Sequence, residues 1–518
     1  MHLDTFLYQL HFDTEKAMSS GHSVNWDDKP LPYKLYRNVS SIPLCTEVPF
    51  NIDCLDDTRP TLRTISHLLW YTFGLTQFSE QNFLEYTAEP LYSYRRFVPS
   101  GGALYPNEVY IYLKMDDVSH GVYHYDVAHH RLILIREGNI DSYLNQALGN
   151  RCEIEKACCT VFVSTMFWKN FFKYKNFSYR LQGLDAGALI GQLLEVTKRY
   201  RYETTVYFQF LDEAVNHLLG LSTNEESVYA VIPLSVDSTM EWCKKADDKI
   251  TATELCQELP RITHNYYIRS RHIETYPFVQ KANEACMLEQ FSPIQQMKQQ
   301  NKEIRTSNNI PLPNVTRMTY DFVSSCRKRY SPEMDFILKK MNVYEIASLF
   351  HEAMTSYKYR NDIDDLIESP SPRISIYSSF YLVEGVLNGA YYYDVKKHVL
   401  QGIRHGDQRS VLQSAMTLDN VNLQQTPVCI HLVGDREYMK HSLGYRGYRI
   451  QQMEAGMLLQ RLLLAGGGLN IGGHPLLGYN SVQCDQLYEI DKLNETTLIQ
   501  LPMGAHYQRS WLKAGLHH

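Results

Sequence analysis

The chain has 518 residues, a formal net charge of −6 and a hydrophobic content of 44%. A single hydrophobic core stops growing at roughly 250–300 residues, so this length predicts two globular units. The negative balance argues against nucleic acid as the main partner, and no uncharged apolar run reaches the roughly 18 residues that span a bilayer.

The eleven cysteines are scattered without a CxxC pair. This spacing is typical of reduced thiols rather than of a disulfide framework or a zinc site, and no His/Asp/Glu spacing predicts another metal site. The first residues, MHLDTFLYQLHFDTEKAM, contain acids and histidines where a signal peptide has a basic segment and an apolar core. We therefore expect a cytoplasmic protein that binds no metal, no nucleic acid and no membrane.

The first half begins with a leader segment, residues 1–55, which is followed by the helix pattern HLLWYTFGL. A glycine turn, PSGG, then leads into the strand pattern YIYL, and the strand TVFVS precedes the long helix pattern YRLQGLDAGALIGQLLEV. The strand VYAVIPL closes a unit that we predict to span residues 56–243. Residues 244–314 are polar and rich in Gln, Lys and Asn, which predicts a connector with some helix that embraces one or both halves.

The same order of patterns returns in residues 315–518, with FYLVEGVLNGAYYYD, VCIHLV, YRIQQMEAGMLLQRLLLAG and LIQLPMG. The interval from Arg180 to Arg449 is the same as the interval from Asp185 to Glu454. A constant offset of this kind predicts an internal duplication, and the mixed patterns indicate the α+β class. Two unrelated α+β domains are the alternative. We interpret the repeated Arg and Asp/Glu as ion pairs that position corresponding helices.

The stretch SYRRFVPSGGALYPNEVYIYLK combines features that suit a phosphorylated ligand. Arg95 and Arg96 can bind a phosphate, and the backbone of Gly101 and Gly102 can approach a ligand closely. Surface arginines beside an ordinary turn are the alternative, which the local sequence alone favours.

Taken together, RRFVPSGGALYPNEVYIYL, GVYHYD and KYKNFSYRLQGLDAG resemble the SagB-type peptide dehydrogenases. These are the flavin-dependent azoline oxidases of thiazole/oxazole-modified peptide biosynthesis, within the nitroreductase superfamily. The resemblance includes the leader segment and covers most of the first half, whereas the second half resembles the nitroreductase fold more than the dehydrogenase subfamily. It implies two nitroreductase-like domains in tandem, which form an intrachain pseudo-dimer with FMN at their interface.

The resemblance also assigns the FMN site to residues from both halves. The second half has an Arg-x-Ser in RKRYSPEMDF and a glycine loop in NIGGHPLLGYN, while the first half supplies the turn PSGG. The first half's DDTRPTLRTISHLL lacks the Arg-x-Ser, and the second half's SPSPRIS lacks the glycines, so we predict one FMN per chain. The predicted FMN-binding residues are Arg95, Arg96, Pro99, Ser100, Gly101, Gly102, Arg329, Ser331, Gly472, Gly473 and Arg509.

The family typically carries a Lys-Tyr pair before its Tyr-Arg and Asp-Ala-Gly motifs, and Lys173 and Tyr174 stand in that position. The resemblance implies that FMN accepts a hydride from the azoline while Lys173 removes a proton. A lysine needs burial or nearby positive charge to act as a base at neutral pH, and Lys169 and Lys175 place such charge beside it. A solvated helix edge is the alternative, and Phe177 replaces an arginine that is often found in the family.

The sequence therefore predicts an FMN-dependent enzyme that oxidises peptide thiazolines or oxazolines to azoles. Its expected partners are a modified peptide and a cyclodehydratase complex, and the pseudo-dimer is compatible with a further homo-oligomer. One alternative is an NAD(P)H-dependent reductase of quinones, nitroaromatics or another small molecule. The other alternative is a degenerate scaffold that binds a peptide without catalysis.

Overall fold

A computed structural model describes residues 2–19, 22–53, 60–81, 91–244, 250–291, 309–364, 372–507 and 512–515. Its α-helices are α1 (Leu3–Phe12), α2 (Thr14–Met18), α3 (Leu62–Phe73), α4 (Asp141–Ala147), α5 (Trp168–Tyr174), α6 (Ser178–Arg199), α7 (Asp212–Leu218), α8 (Ala252–Cys256), α9 (Pro277–Glu284), α10 (Phe322–Lys328), α11 (Val343–Ser356), α12 (Arg409–Ala415), α13 (Lys440–Leu443), α14 (Arg446–Gly468) and α15 (Ser481–Leu487). Its strands are β1 (Ser41–Pro43), β2 (Gln77–Gln81), β3 (Leu91–Arg95), β4 (Asn107–Leu113), β5 (Gly121–Asp126), β6 (Arg131–Glu137), β7 (Cys159–Met166), β8 (Glu203–Thr204), β9 (Glu226–Ser235), β10 (Asn309–Pro311), β11 (Ser375–Phe380), β12 (Gly389–Asp394), β13 (Val399–His405), β14 (Val428–Asp435), β15 (Gly472–Gly473), β16 (Glu495–Gly504) and β17 (Leu512–Gly515).

Two seven-stranded sheets with the same topology form two units. The strand order is β1-β6-β5-β4-β7-β9-β8 in the first sheet and β10-β13-β12-β11-β14-β16-β15 in the second. Neighbouring strands pair antiparallel in both sheets. The starts of β7 and β14 are separated by the same offset that relates Asp185 to Glu454, and so are the starts of β9 and β16. The predicted duplication and the α+β class are therefore confirmed.

The long helices α6 and α14 pack against each other between the two sheets. Nearly every residue of both helices is buried, because each packs against its own sheet, against the other helix and against further helices, α3 on α6 and α10 and α11 on α14. A Cβ atom on Gly187 would lie 1.9 Å from the Met453 carbonyl oxygen, and one on Gly456 would lie 2.1 Å from that of Leu184. The two glycines are themselves related by the offset of the duplication. The two helix backbones thus touch symmetrically, as in an isologous dimer interface.

Parts of the predicted leader and connector complete the two sheets. Strand β1 of the leader pairs with β6, and β10 of the connector pairs with β13. Isolated backbone bridges join Tyr36 to Tyr266 and Leu211 to Leu288, so connector residues also pack on the first unit. The predicted domain boundaries at residues 55, 243 and 314 stay a prediction. In each sheet, one edge strand, β1 or β10, precedes the residue at which the domain is predicted to begin.

The last described strand of the chain joins the first unit. Strand β17 pairs antiparallel with β2, which in turn pairs with β3. Strand β3 ends at Arg95, a few residues before the PSGG turn. The second unit therefore contributes a strand to the small sheet that leads into this turn.

Three further observations hold for the described residues. No helix among them combines the length and the apolar character needed to cross a bilayer. No group of three or more His, Cys, Asp or Glu side chains in the same ranges is arranged to hold a metal ion. Their cysteines are free thiols.

Candidate active site

A carboxylate of helix α6 anchors the PSGG turn. Ser100 Oγ donates a hydrogen bond to Asp185 Oδ2 at 2.6 Å, and the Gly101 amide donates to Oδ1 at 3.3 Å. The Tyr105 amide donates to Ser100 Oγ at 2.9 Å. Burial raises the pKa of Asp185 to about 7, and its two hydrogen bonds only partly oppose this shift. The conformation of the turn is thus coupled to the helix at the interface between the units.

Gly102 brings the turn against the predicted catalytic pair. Its φ is +64°, and a Cβ atom there would lie 2.7 Å from Tyr174 Oη and 3.1 Å from Lys173 Nζ. Only glycine adopts this backbone conformation without strain while leaving room for the two side chains. Lys173 Nζ also lies 5.4 Å from the ring centroid of Trp26. The predicted turn and the predicted Lys-Tyr pair therefore meet at one point.

The two lysines beside Lys173 each have a carboxylate partner. Lys169 is buried and forms an ion pair with Glu108, while Lys175 Nζ lies 2.6 Å from Glu274 Oε2. Burial lowers the pKa of Lys169, although the charge of Glu108 opposes this shift. The prediction of unneutralised positive charge around Lys173 is therefore wrong, because the two neighbouring charges are neutralised by acids from β4 and from the connector.

Four arginines line a cavity of about 260 Å³ between the units. Arg95 and Arg96 lie at the end of β3, and Arg327 and Arg329 lie at the end of α10. Guanidinium groups from both units therefore face one space, which is an arrangement suited to an anion. The other residues that line the cavity are Phe50, Trp70, Thr76, Gln77, Phe97 and Cys326.

Arg96 has buried donors that nothing in the described residues satisfies. Its side chain is 1% exposed, and Nη2 donates to the Pro32 carbonyl at 2.5 Å. Nε and Nη1 have no hydrogen-bond partner in the described part of the chain. The guanidinium lies 3.8 Å from the ring centroid of Phe73 and 4.6 Å from that of Tyr105. Burial lowers the pKa of Arg96 to about 10, which keeps it charged at neutral pH.

The unsatisfied donors of Arg96 allow a test of whether a phosphorylated cofactor fits this site. A buried guanidinium nitrogen without a partner costs free energy, and a phosphate oxygen would satisfy it with a charge-assisted hydrogen bond. Arg95, Arg327 and Arg329 add positive charge around the same cavity. The residues present therefore fit the phosphate of FMN.

Arg329 of the second unit contacts the backbone of the first unit. Its Nε donates to the Phe97 carbonyl at 2.8 Å, and Nη2 donates to the Arg96 carbonyl at 3.3 Å. Burial lowers the pKa of Arg329 to about 10. Ser331, two residues further along, is half-buried. The predicted Arg-x-Ser of one unit thus lies against the segment that leads into the PSGG turn of the other.

The predicted glycine loop, β15, lies on the other side of the Arg-x-Ser segment. A Cβ atom on Gly472 would lie 2.5 Å from His506 Nδ1 and 3.0 Å from Pro332 Cγ. The His506 ring stacks on Tyr330 at 5.5 Å, and the guanidinium of Arg95 lies 5.1 Å from the Tyr330 ring centroid. A continuous set of contacts therefore joins β15 to the arginine cavity. The predicted phosphate ligand Arg509 lies outside the described residues.

The predicted ion pairs within the long helices are wrong. Arg180 donates to the Leu498 carbonyl at 2.7 Å, and Arg449 donates to Asp212 at 3.3 Å. Residues five positions apart on an α-helix are rotated by about 140°, so Asp185 faces another side of α6 than Arg180 does. The repeated spacing indicated a shared role, but the partner of Asp185 is a turn that lies far away in the sequence.

The turn of the second unit contains an ion pair where the first unit has glycine. Arg373, which takes the place of Gly102 when PSPR is aligned with PSGG, forms ion pairs with Glu454 and Asp364. Arg373 Nε lies 2.9 Å from Glu454 Oε2. The residues that precede Pro372 in the SPSPRIS stretch lie outside the described part of the chain. The residue that takes the place of Gly102 thus carries a long side chain that is bound to two carboxylates.

The nitroreductase family model matches residues 54–234 and 368–505 of the chain, once in each half. These two regions make up more than half of the sequence. The chain belongs to the nitroreductase family. The predicted membership of this superfamily, as a tandem duplication, is confirmed.

This member of the nitroreductase family is similar to solved structures and to a curated protein. A protein from Anabaena variabilis that is assigned as a nitroreductase has a TM-score of 0.72 and 22% identity, with 98% of this chain and 99% of that chain covered. At this identity the likeness shows the fold alone. McbC of Escherichia coli, a microcin B17-processing protein, is 26% identical over 180 residues, which is 34% of this chain and 61% of McbC. The matched region thus spans about three fifths of that relative.

A third match is too partial to carry an argument. The Escherichia coli microcin synthetase McbBCD complex with truncated pro-MccB17 bound covers 39% of this chain and 70% of the matched chain, at 20% identity. Its TM-score is 0.28. The function of this member of the nitroreductase family therefore has to be inferred from the geometry of its own side chains.

Proposed function

We propose that this nitroreductase-family chain is an FMN-dependent dehydrogenase that oxidises thiazolines or oxazolines of a modified peptide to azoles. The observation that supports this most directly is the meeting of Lys173, Tyr174 and the PSGG turn at Gly102. Family membership makes an oxidoreductase the expected class. The match to McbC, a microcin-processing protein, supports a peptide as the substrate.

FMN, when bound, supplies the acceptor for the hydride that leaves the substrate. Arg96 and Arg329 are the residues that would hold its phosphate, with Arg95 and Arg327 at the same cavity. The second unit has an ion-paired Arg373 at the position of the turn glycine. We therefore propose a single FMN per chain, at the composite site that the two units form.

Conversion of an azoline to an azole removes a proton from Cα and a hydride from Cβ of the ring. Lys173, in its neutral form, is placed to accept the proton, since its Nζ lies at the turn against which the substrate ring would sit. Tyr174 Oη lies at the same point and can donate a hydrogen bond to the azoline nitrogen or to the lysine amine. The ring of Trp26 also faces Lys173, with its centroid 5.4 Å from Nζ.

A peptide substrate of this kind also implies a partner enzyme. The azoline ring has to be formed from a Cys, Ser or Thr side chain before it can be oxidised, which is the reaction of a cyclodehydratase. We propose that this chain works after such an enzyme or in a complex with it.

The test uses the full chain reconstituted with FMN and a synthetic peptide that carries one thiazoline. We expect the peptide to lose two hydrogens, measured by mass spectrometry, in the presence of oxygen. Lys173→Ala should bind FMN normally and produce no azole. Lys339→Ala, at an exposed position of the second unit, is the control and should retain activity.

Three other outcomes would overturn parts of the proposal. Azole formation by Lys173→Ala would remove the lysine from the mechanism. Rapid bleaching of the bound flavin by NADPH without oxygen, together with no azoline oxidation, would identify a reductase of small molecules. A purified chain that takes up no FMN would identify a scaffold without catalysis.

A further inference from the structure

A second cavity, of about 70 Å³, lies at the other end of α5 from the Lys-Tyr pair. Three segments form its walls: leader residues 30–34, the first residues of α5 and connector residues 266–276. Most of the lining side chains are aromatic or aliphatic, and they include Tyr33, Trp168, Tyr266, Tyr267, Ile268 and Ile273. We call this space the leader cavity.

The lysines in the leader cavity are neutralised by buried acids. Lys34 Nζ lies 2.7 Å from Glu226 Oε2. Lys169 forms its ion pair with Glu108, as described above. All four of these side chains are buried. Neither lysine has a charge left to neutralise an anion. The other charged lining residues, Glu225 and Arg269, are hydrogen-bonded to Tyr266 Oη and to the Lys29 carbonyl, so most of the surface that the cavity presents to a ligand is apolar.

The rim of the leader cavity exposes apolar side chains to solvent. Ile268 is 50% exposed, Ile273 is 44% exposed and Tyr267 is 40% exposed, and all three line the same cavity. Single exposed apolar residues are common on protein surfaces, but several around one concave site indicate a binding surface.

Hydrogen bonds hold the three walls in a fixed arrangement. Trp168 Nε1 of α5 donates to Ser270 Oγ of the connector at 2.9 Å, and Ser270 Oγ donates to the Asp28 carbonyl of the leader at 2.8 Å. The Arg271 amide donates to Asp28 Oδ1 at 2.6 Å. The cavity is therefore built before a ligand arrives, which lowers the entropic cost of binding.

The distance from the leader cavity to the Lys-Tyr pair matches the spacing of a peptide. Lys169, in the cavity, and Lys173 are four residues apart on α5, which corresponds to a rise of about 6 Å. An extended peptide covers about 3.3 Å per residue, so about two residues span the same distance. The leader provides a second connection, since Trp26 lies over Lys173 while residues 30–34 line the cavity.

The leader cavity lies on the first unit, which is also the unit that has the Lys-Tyr pair. The corresponding helix of the second unit, α13, spans only Lys440–Leu443, whereas α5 spans Trp168–Tyr174. Among its described residues, the second unit therefore has no helical counterpart of the turn of α5 that carries Trp168 and Lys169.

We propose that the leader cavity binds an apolar or aromatic side chain of the peptide substrate, two residues away from the azoline ring. This inference rests on the proposed function, because it places the ring at Lys173. The occupant is thus a segment of the modified peptide whose ring is oxidised, and the cavity selects among substrate sequences.

The test measures kcat/KM for thiazoline peptides that differ only at the second residue before or after the ring. For one of these two positions, the wild-type chain should prefer Leu over Asp by at least about tenfold, the value expected from burying one aliphatic side chain. Ile273→Asp should lose this preference through a higher KM for the Leu peptide. The same variant should prefer a peptide with Lys at that position, which shows that the site is folded. Leu418→Asp, at a 67% exposed position of the second unit, is the matched control.

The outcomes separate this inference from the function on which it rests. If the wild-type chain oxidises thiazoline peptides with equal kcat/KM for Leu and Asp at both positions, the inference is wrong and the proposed function stands. If it oxidises none of the peptides, the proposed function is wrong and this inference fails with it. If Ile273→Asp is unstable, the decisive measurement is binding of the Leu peptide to the wild-type chain, followed by the fluorescence of Trp168. A Trp168→Phe variant identifies the part of the signal that comes from Trp168.

Discussion

Arg373 forms an ion pair with Glu454 in the second unit, whereas in the first unit, where Gly102 takes the place of Arg373, Asp185 accepts hydrogen bonds from Ser100 Oγ and the Gly101 amide. The two carboxylates lie at equivalent positions of α6 and α14, and each holds the turn of its own unit. Gly102 leaves space for Lys173 and Tyr174, whereas Arg373 carries a side chain that is held by Glu454 and Asp364. The duplicated chain is therefore symmetric in its fold and asymmetric in its chemistry.

Arg373→Met should lower the free energy of unfolding by about 3–5 kcal/mol. The substitution leaves Glu454, whose side chain is 1% exposed, without its cation. Urea denaturation measures the change. Arg404→Met, at an exposed position of the same unit, is the control and should cost less than about 0.5 kcal/mol. The double variant Arg373→Met/Glu454→Leu should recover part of the loss. Equal losses of unfolding free energy for Arg373→Met and the control Arg404→Met would contradict the prediction.

Gly187→Ala should cost more than about 2 kcal/mol of unfolding free energy and should also weaken FMN binding. Its Cβ would lie 1.9 Å from the Met453 carbonyl oxygen, so α6 and α14 would have to separate. The proposed flavin site takes residues from both units and depends on their spacing. Gly191→Ala is the matched control on the same helix face, because its Cβ would lie 3.0 Å from the Met457 carbonyl oxygen. Thermal unfolding and flavin fluorescence should rank Gly187→Ala as the more damaging change, and equal effects would argue against the contact.

The duplicated fold could be predicted from the sequence because its evidence is local and repeated. Helix and strand patterns are short-range, and the constant offset that relates Arg180 to Arg449 and Asp185 to Glu454 is visible without any structure. The partner of Asp185 could not be predicted in this way. Ser100 lies 85 residues before it, and only the packing of the turn on α6 brings the two side chains together.

Some residues of the candidate site were expected from the sequence, but their surroundings could not be predicted from it. The motifs pointed to Arg96 and Arg329, and both line the cavity between the units. That Arg96 lies between two aromatic rings with two unsatisfied nitrogens follows from tertiary contacts that no spacing encodes. Likewise, the acid that neutralises Lys175 comes from the connector, 99 residues further along the chain.

Gly102→Ala should abolish most azoline oxidation, whereas Gly444→Ala should not. Both glycines have a positive φ, +64° at Gly102 and +58° at Gly444, so alanine is strained at either position. Their ψ values differ, 16° at Gly102 against −149° at Gly444, and the region of Gly444 is essentially restricted to glycine, so the strain is larger in the control. A Cβ on Gly444 meets nothing within 4 Å, but one on Gly102 would lie 2.7 Å from Tyr174 Oη. Paired measurements of stability and of kcat separate backbone strain from displacement of the Lys-Tyr pair. Full activity in Gly102→Ala would show that this contact does not position the pair.

Asp185→Asn should change how stability depends on pH. Burial raises the pKa of Asp185 to about 7 from an unfolded value near 3.8. Between these values the folded chain binds a proton that the unfolded chain does not, so this group's contribution to stability is lost as the pH rises towards 7. Asparagine removes the titration. Relative to the wild type, the variant should therefore gain about 2 kcal/mol of unfolding free energy between pH 5 and pH 8, measured by urea denaturation at each pH.

Asp485→Asn in the second unit distinguishes a general effect of a buried acid from a role at the flavin turn. Burial raises the pKa of Asp485 to about 6, and its carboxylate accepts hydrogen bonds from Thr496 and Thr497 rather than from a turn. In both variants the unfolding free energy should fall less with rising pH than it does in the wild type. Only Asp185→Asn should change the Kd for FMN and the pH dependence of that Kd. Parallel stability profiles of Asp185→Asn and the wild type would show that Asp185 does not titrate near neutrality. An unchanged Kd would show that the anchored turn does not support the flavin.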